Sequence, residues 1–257
     1  MPTSMIIIKS EQELQQMRHA GTLAAQALRE VAAAVRPGVS GTQLDRIGEA
    51  FIRDHGGVPS FKGYRGFPAS VCISLDDEVV HGIPNGTRLR EGQIVSLDLG
   101  AVVDDFHGDV AVTLPVGQVR PEVGRLLTVA REALFKGIAV IRPGGRLGDV
   151  GAAVQAHAEA AGFSVVRDFA GHGIGRHLHE EPQVPNFGEQ GSGPQLRIGM
   201  TLAIEPMVNL GGSDVMMDSD GWTVRTRDRK PSAHFEHTVV VTAGGALVLT
   251  AIPGGAI

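Results

Sequence analysis

The stretch FAGHGIGRHLHEEPQVPNF, residues 169–187, sets three histidines and two glutamates among glycines and prolines. Imidazoles and carboxylates at that density offer metal ligands or proton carriers. Gly and Pro shape the backbone that would present them. A solvated surface loop can have the same composition, so the chemistry depends on what else reaches the stretch. Four acids stand out, because Asp and Glu are depleted in strands and these lie in or beside strand-like runs: Asp98, Asp109, Glu205 and Glu236. Alternation puts Asp98 on a face with Ser96 and Gly100, opposite Val95, Leu97 and Leu99. Asp109 shares its face with Ala111 and Thr113, opposite Val110, Val112 and Leu114. Glu205 alternates with Leu202 and Ile204, and Glu236 with Phe235, His237 and Val239.

The elements that must carry these residues repeat along the chain. Ser10 and Glu13 form a capping box that opens a helix ending at VRPG, and Thr42 caps a second helix that stops at Gly56-Gly57. Strand-like runs SVCISL, QIVSLDLGAVV and DVAVTL follow. From Pro121 the order recurs, with a helix ending in IRPG and another near Gly162; both landmarks are shifted by 106 residues. LREGQIVSLD (89–98) then aligns with LRIGMTLAIE (196–205), and GDVAVTLPVG resembles EHTVVVTAGG. The pattern predicts two similar α/β halves, each of two helices followed by antiparallel strands. It places Asp98 opposite Glu205, and Asp109 close to the equivalent of Glu236.

Pseudo-symmetry of this kind would bring the four acids to one centre. Four ionised carboxylates cannot share a buried site without compensation, and a divalent metal supplies it. Oxygen-rich ligands with one or two imidazoles suit Mn, Fe, Co or Zn, and bridging carboxylates can hold two ions about 3.5 Å apart. One histidine of the opening stretch would complete the shell and another would handle protons. His172, between Gly171 and Gly173, suits close approach; of His177 and His179, one should face inward. HEEPQ lacks the second histidine of a zincin helix, GHGIG is not a dinucleotide fingerprint, and neither a Walker A sequence nor a serine nucleophile elbow is present.

Composition narrows the setting. Hydrophobic content of 42% and charged content of 20% over 257 residues allow a sizeable core. A net charge of -5 gives no basic surface for nucleic acid. Cys72 is the single cysteine, so no internal disulfide forms, which fits a reducing compartment. The apolar run Met5 to Ile8 is too short for a signal peptide or membrane span. The expectation is a cytoplasmic protein with no membrane attachment.

Six motifs in order, VVHGIP, SLDLG, FHGD, GHGIGRHLHEEPQVPN, AIEPM and HFEHT, closely resemble those of the type I methionine aminopeptidases in their short bacterial form. The resemblance runs from about Ile6 to Leu249. It implies the pita-bread fold: one catalytic domain over 1–257, with pseudo-symmetric halves at about 10–120 and 121–250 around a central dinuclear metal site. The family's metal ligands fall on Asp98, Asp109, His172, Glu205 and Glu236. Asp109 and Glu236 would bridge two divalent ions, Asp98 would complete one site, and His172 with Glu205 the other. Catalytic roles fall on His81, His179 and Glu205. The methionine pocket falls on Phe61, Tyr64, Phe67, Cys72, Leu178 and Trp222, with His81 and His179 beside it. Arg65 and Phe67 stand where many bacterial members carry His and Tyr, and Phe187 where Tyr is commoner; these differences bear on pocket shape.

The implied activity is removal of the N-terminal methionine from nascent chains whose second residue is small, with transient ribosome contact expected from that role. The start Met1-Pro2 fits such a substrate. Two other readings use the same fold: a proline-directed aminopeptidase or prolidase, and a metal-free binding module.

Overall fold

The computed structural model describes residues 5–251; Met1 and Pro2 lie outside them. Four α-helices run Glu11–Ala33 (α1), Gly41–Asp54 (α2), Pro121–Ala139 (α3) and Leu147–Ala160 (α4). The strands of the first half are Val58–Pro59 (β1), Cys72–Leu75 (β2), Glu78–Val80 (β3), Ile94–Val103 (β4) and Phe106–Pro115 (β5). Those of the second are Ser164–Val165 (β6), Ala170–Gly173 (β7), Glu180–Pro185 (β8), Thr201–Ile204 (β9), Met207–Asn209 (β10), Val215–Met217 (β11), Val224–Thr226 (β12), Ser232–His234 (β13), Glu236–Thr242 (β14) and Gly245–Val248 (β15).

Ser10 and Glu13 form the expected box at the start of α1. The start of α2 differs from expectation. Ser40, not Thr42, is its cap: the Gln43 N–H donates to Ser40 Oγ, and the Ser40 N–H donates to Gln43 Oε1 at 2.9 Å. The Ser-Gly-Thr-Gln sequence satisfies two orphan donors reciprocally from Ser40, which Thr42 inside the first turn cannot do.

The main sheet runs β1-β4-β5-β14-β9-β7-β8, with β2 also on β4 and β15 on β14. All these pairings are antiparallel. Asp104 and Asp105 link β4 to β5 with φ of 50° and 66°, the two positive values that a tight hairpin matching strand twist demands. That turn fixes the register of ten consecutive residue pairs from Val103↔Phe106 to Ile94↔Pro115. One face of the sheet, with Leu97, Leu99, Val110 and Val112, is buried in a core with Leu28 and Val31 of α1 and Leu126 and Ala130 of α3. The helices thus cover the bulky side of the strands and leave the other side to the acids.

The repeat appears in the backbone hydrogen bonds. The Gly38 N–H reaches Leu89 O at 2.8 Å and the Gly144 N–H reaches Leu196 O at 2.9 Å; Gly92 and Gly199 donate to Val116 O and Val241 O, both at 2.9 Å. Each half therefore closes its helix pair onto its strands in the same way, and the pita-bread arrangement holds.

Candidate metal centre and substrate pocket

Five adjacent strands each deliver one candidate ligand. Asp98 on β4 lies opposite Ala111 of β5, and so does Glu236 of β14. Asp109 is two residues from Ala111 and shares its face. His237 pairs with Ile204, so Glu205, one residue beyond β9, continues the register opposite Glu236. His172 of β7 pairs with Ala203 and therefore points to the Glu205 side. Cys72 of β2 lies opposite Asp98 and joins the same face.

The result is one cavity lined by Asp98, Asp109, His172, Glu205 and Glu236, with His81 and His179 and every expected pocket residue around them. Ligand atoms of Asp109, His172 and Glu236 lie within 4.8 Å of one another. His172 Nε2 is 3.5 Å from Glu205 Oε1 and 4.0 Å from Asp109 Oδ2. The glycines beside His172 permit this approach. A Cβ on Gly171 would meet Ala203 O at 2.3 Å, and one on Gly173 would meet Glu181 O at 2.1 Å.

The His172 tautomer follows from its surroundings. Nδ1 lies 2.8 Å from the Gly173 carbonyl, which can only accept, so Nδ1 carries the proton and bare Nε2 faces the acids. Burial holds this imidazole neutral, with its pKa down at about 4 despite the Gly173 carbonyl.

The acids are buried, and their charge has little within the chain to answer it. Asp98 Oδ1 and Glu236 Oε1 have no hydrogen-bond partner among the described residues. Burial first, and then neighbouring carboxylates, push Asp98, Glu205 and Glu236 well above the ordinary carboxylate range. Burial lifts Asp109 to about 7 against the pull of the Val110 N–H. Protons or a metal must therefore compensate the cluster, and orphaned oxygens beside a bare imidazole nitrogen fit a divalent ion.

The pocket is apolar. Phe61, Phe67, Cys72 and Leu178 are buried together, with Tyr64 and Trp222 packed against them. Phe67 and Trp222 meet edge to face at 5.1 Å. Burial and the nearby carboxylates push the Cys72 thiol up, so it forms wall and not nucleophile. His179 Nδ1 lies 2.8 Å from Tyr64 Oη, and its ring is 4.2 Å from that of His172. His81 stands at a φ of 61°, a costly conformation for a residue that carries a Cβ, with Phe169 at 5.8 Å and Trp222 at 6.3 Å. Of the pair His177 and His179, His179 lines the cavity, while His177 lies in a shallower outer groove. Leu178 reaches the cavity too, because the segment between β7 and β8 is not extended.

Arg65, singled out from sequence as a difference bearing on pocket shape, lines the cavity. One site residue, His234, carried no assignment from sequence. His234 is 1% exposed, both its ring nitrogens lack partners among the described residues, and Nε2 lies 3.6 Å from Glu205 Oε2. Its position corrects the expected symmetry. The Asp109 N–H donates to Thr238 Oγ1 at 3.0 Å, and that hydroxyl donates back to Asp109 O at 2.8 Å. The His234 N–H and carbonyl make the same pair with Thr113 Oγ1, both at 2.8 Å. The equivalent of Asp109 is therefore His234, and Glu236 answers to Ala111. A histidine two residues before Glu236 on one strand face was the available signal.

The comparisons agree with this geometry. Residues 15–243 match metallopeptidase family M24. A methionine aminopeptidase of Clostridium perfringens is 50% identical over 248 residues, 96% of this chain and all of the relative. The crystal structure of methionine aminopeptidase from Rickettsia prowazekii superposes with a TM-score of 0.95 at 43% identity, covering 96% of this chain and 100% of that one. Prolidase from Pyrococcus furiosus shares the fold alone, at 21% identity and a TM-score of 0.78 over 96% of this chain and 66% of that one. With its family's pattern over most of its length and a metal-ready cluster at the centre of its sheet, the chain belongs to the M24 metallopeptidases.

Proposed function

We propose that this enzyme is a methionine aminopeptidase that removes the first residue of polypeptides whose second residue is small. The observation that carries the reading is the junction of two unlike surfaces in one cavity: a cluster of buried acids with His172, and the apolar pocket of Phe61, Tyr64, Phe67, Cys72, Leu178 and Trp222. Asp98, Asp109, His172, Glu205 and Glu236 would hold divalent ions such as Co, Mn, Fe or Zn, with Asp109 and Glu236 as the carboxylates that would be shared between two of them. Ions held there would supply an activated water and polarise the scissile carbonyl.

The chain's own groups do the rest. Glu205 takes the proton of the attacking water and passes it to the leaving amine. Burial keeps the His179 pKa down at about 3, helped by His172, so the ring is neutral. With Nδ1 accepting from Tyr64 Oη, its Nε2–H is free to donate to the developing oxyanion. His81, held down to about 4 by burial, bonds the scissile amide nitrogen. The pocket selects methionine by apolar fit. A methylene is worth only about 1–3 kcal/mol there, so charged side chains are rejected strongly and similar apolar ones weakly.

The test is hydrolysis of Met-Ala-Ser by protein stripped with chelator and reloaded with each metal in turn, followed by peptides varied only at the second position. Activity should vanish on stripping, return with metal, and be high for Ala and Gly but low for Leu and Lys. Equal rates across Ala, Leu and Lys, or full activity without metal, would overturn the reading.

A further inference from the structure

The Glu205 carboxylate spans two imidazoles: Oε1 faces His172 Nε2 at 3.5 Å and Oε2 faces His234 Nε2 at 3.6 Å. His172 is accounted for as a ligand. His234 has no place in the proposed ligand set, and it is outside the group of Asp109, His172 and Glu236 whose ligand atoms lie within 4.8 Å of one another. Yet it holds the place beside Glu205 that Asp109 holds beside Asp98, because the threonine hydroxyl pairs of Thr113 and Thr238 relate His234 to Asp109. Its backbone is tied to β5 through Thr113, whose Oγ1 also lies 2.8 Å from the Ser96 hydroxyl of β4.

An apolar side chain would fill this volume without burying two unpartnered nitrogens, which is unfavourable. Among the described residues the carboxylate that approaches Nε2 within 4.0 Å is Glu205. A hydrogen bond needs a shift of only about 0.7 Å from the observed separation.

We infer that His234 is a positioning residue for Glu205: its Nε2–H holds Oε2, which leaves Oε1 turned toward the metal centre and the reacting water. This rests on the proposed function for the role of Glu205. The contact itself does not.

The experiment compares wild type with His234→Leu and His234→Gln. Crystal structures of the metal-loaded proteins should show His234 Nε2 within hydrogen-bond distance of Glu205 Oε2 in wild type, and a displaced carboxylate in His234→Leu. With Met-Ala-Ser, His234→Leu should lose about 10- to 100-fold in kcat, the range expected for a hydrogen bond to a charged group. KM should change less than about twofold and metal content should stay at the wild-type value. The His234→Gln amide, a donor of similar reach, should restore most of the turnover.

An unmoved Glu205 with wild-type kcat in His234→Leu would overturn the inference. So would equal damage in both variants, which would mark a packing role, or loss of metal, which would mark a ligand. If wild type cleaves no N-terminal methionine the proposed function fails, and the His234–Glu205 contact in the crystals still decides this inference.

Discussion

At one end of the β3–β12 pair, Asp77, Glu78 and Asp218 converge on Arg225, whose guanidinium donates to Asp77 at 2.9 Å and Glu78 at 2.6 Å. At the centre of the main sheet, Asp98, Asp109, Glu205 and Glu236 line one cavity, and among the described residues their ion-pair neighbours are only His172 and His234. The first cluster is partly open, with Arg225 22% exposed, and the chain supplies its own cation. The second is nearly closed, with Asp109 at 4% and Glu236 at 2%, and the chain supplies none. A fixed guanidinium makes a structural knot. A site left without one is reserved for a cation from outside, which can also do chemistry.

The largest expected effect is at the reserved cluster. On the proposed reading, Asp109→Ala and Glu236→Ala should each remove both metals and abolish measurable turnover, because a carboxylate that would be shared by two cations is lost and would leave them unshielded from each other. Metal analysis of folded protein checks this, and two tightly held equivalents in either variant would break the comparison. His81→Ala should keep its metal and lose about 10²-fold or more in kcat, as a substrate-facing group outside the ligand shell. Loss of metal would move it inside.

The metal-free protein should also betray its uncompensated acids through pH. Asp109 is raised to about 7, and Asp98, Glu205 and Glu236 are raised well above the ordinary carboxylate range by burial first and then by neighbouring carboxylates. A raised carboxyl stabilises the fold while protonated, and that contribution is lost as pH climbs through the folded-state value. The buried histidines oppose this only below about 6.5, where the unfolded chain begins to protonate; above it they are neutral in both states. The melting temperature of chelated protein should therefore fall as pH rises above about 6.5, and added metal should flatten the decline. A flat profile without metal would show that the cluster is compensated within the chain.

How much of this could be read from residues alone depended on whether the signal was local. Alternation placed Asp98 and Asp109 opposite Leu97 and Val110, and the register bears it out. The two RPG landmarks reported a repeat that Gly38 and Gly144 express as matching hydrogen bonds. The equivalence of Asp109 and His234 was hidden, because the segment carrying β10 to β13 lengthens the second half and shifts the offset from 107 residues at Asp98 and Glu205 to 125 at this pair. Ser40 was passed over for Thr42 because both are capping residues, and only the reciprocal bond to Gln43 separates them. Arg65 stands out in the sequence as a difference bearing on pocket shape, and it lines the cavity from a backbone with a left-handed φ of 49° that no local pattern signals.

The Arg225 knot offers the next test. Arg225→Leu leaves three acids, two of them less than one-fifth exposed, with only the exposed Arg229 guanidinium on Asp77 at 3.2 Å. It should cost about 2 kcal/mol, below the 3–5 kcal/mol for breaking a fully buried pair because water reaches the site. Metal content should not change. Denaturant titration and metal analysis on the same preparation separate the two clusters, and loss of metal would show that they are one network.

The smallest effect belongs to an acid whose cations are in water. Glu49 receives Arg53 Nε at 2.9 Å and Lys62 Nζ at 2.6 Å, distances as short as those at Arg225. The bases, however, are 49% and 43% exposed, so solvent and salt screen the attraction and two long side chains lose freedom in making it. Glu49→Gln should therefore change stability by no more than about 0.5 kcal/mol, and less in high salt. Urea titrations at low and high ionic strength would measure it. A loss as large as that of Arg225→Leu would mean that short contact distance alone, and not exclusion of water, sets the strength of these clusters. The contrast between the knot and the metal centre would then need another cause.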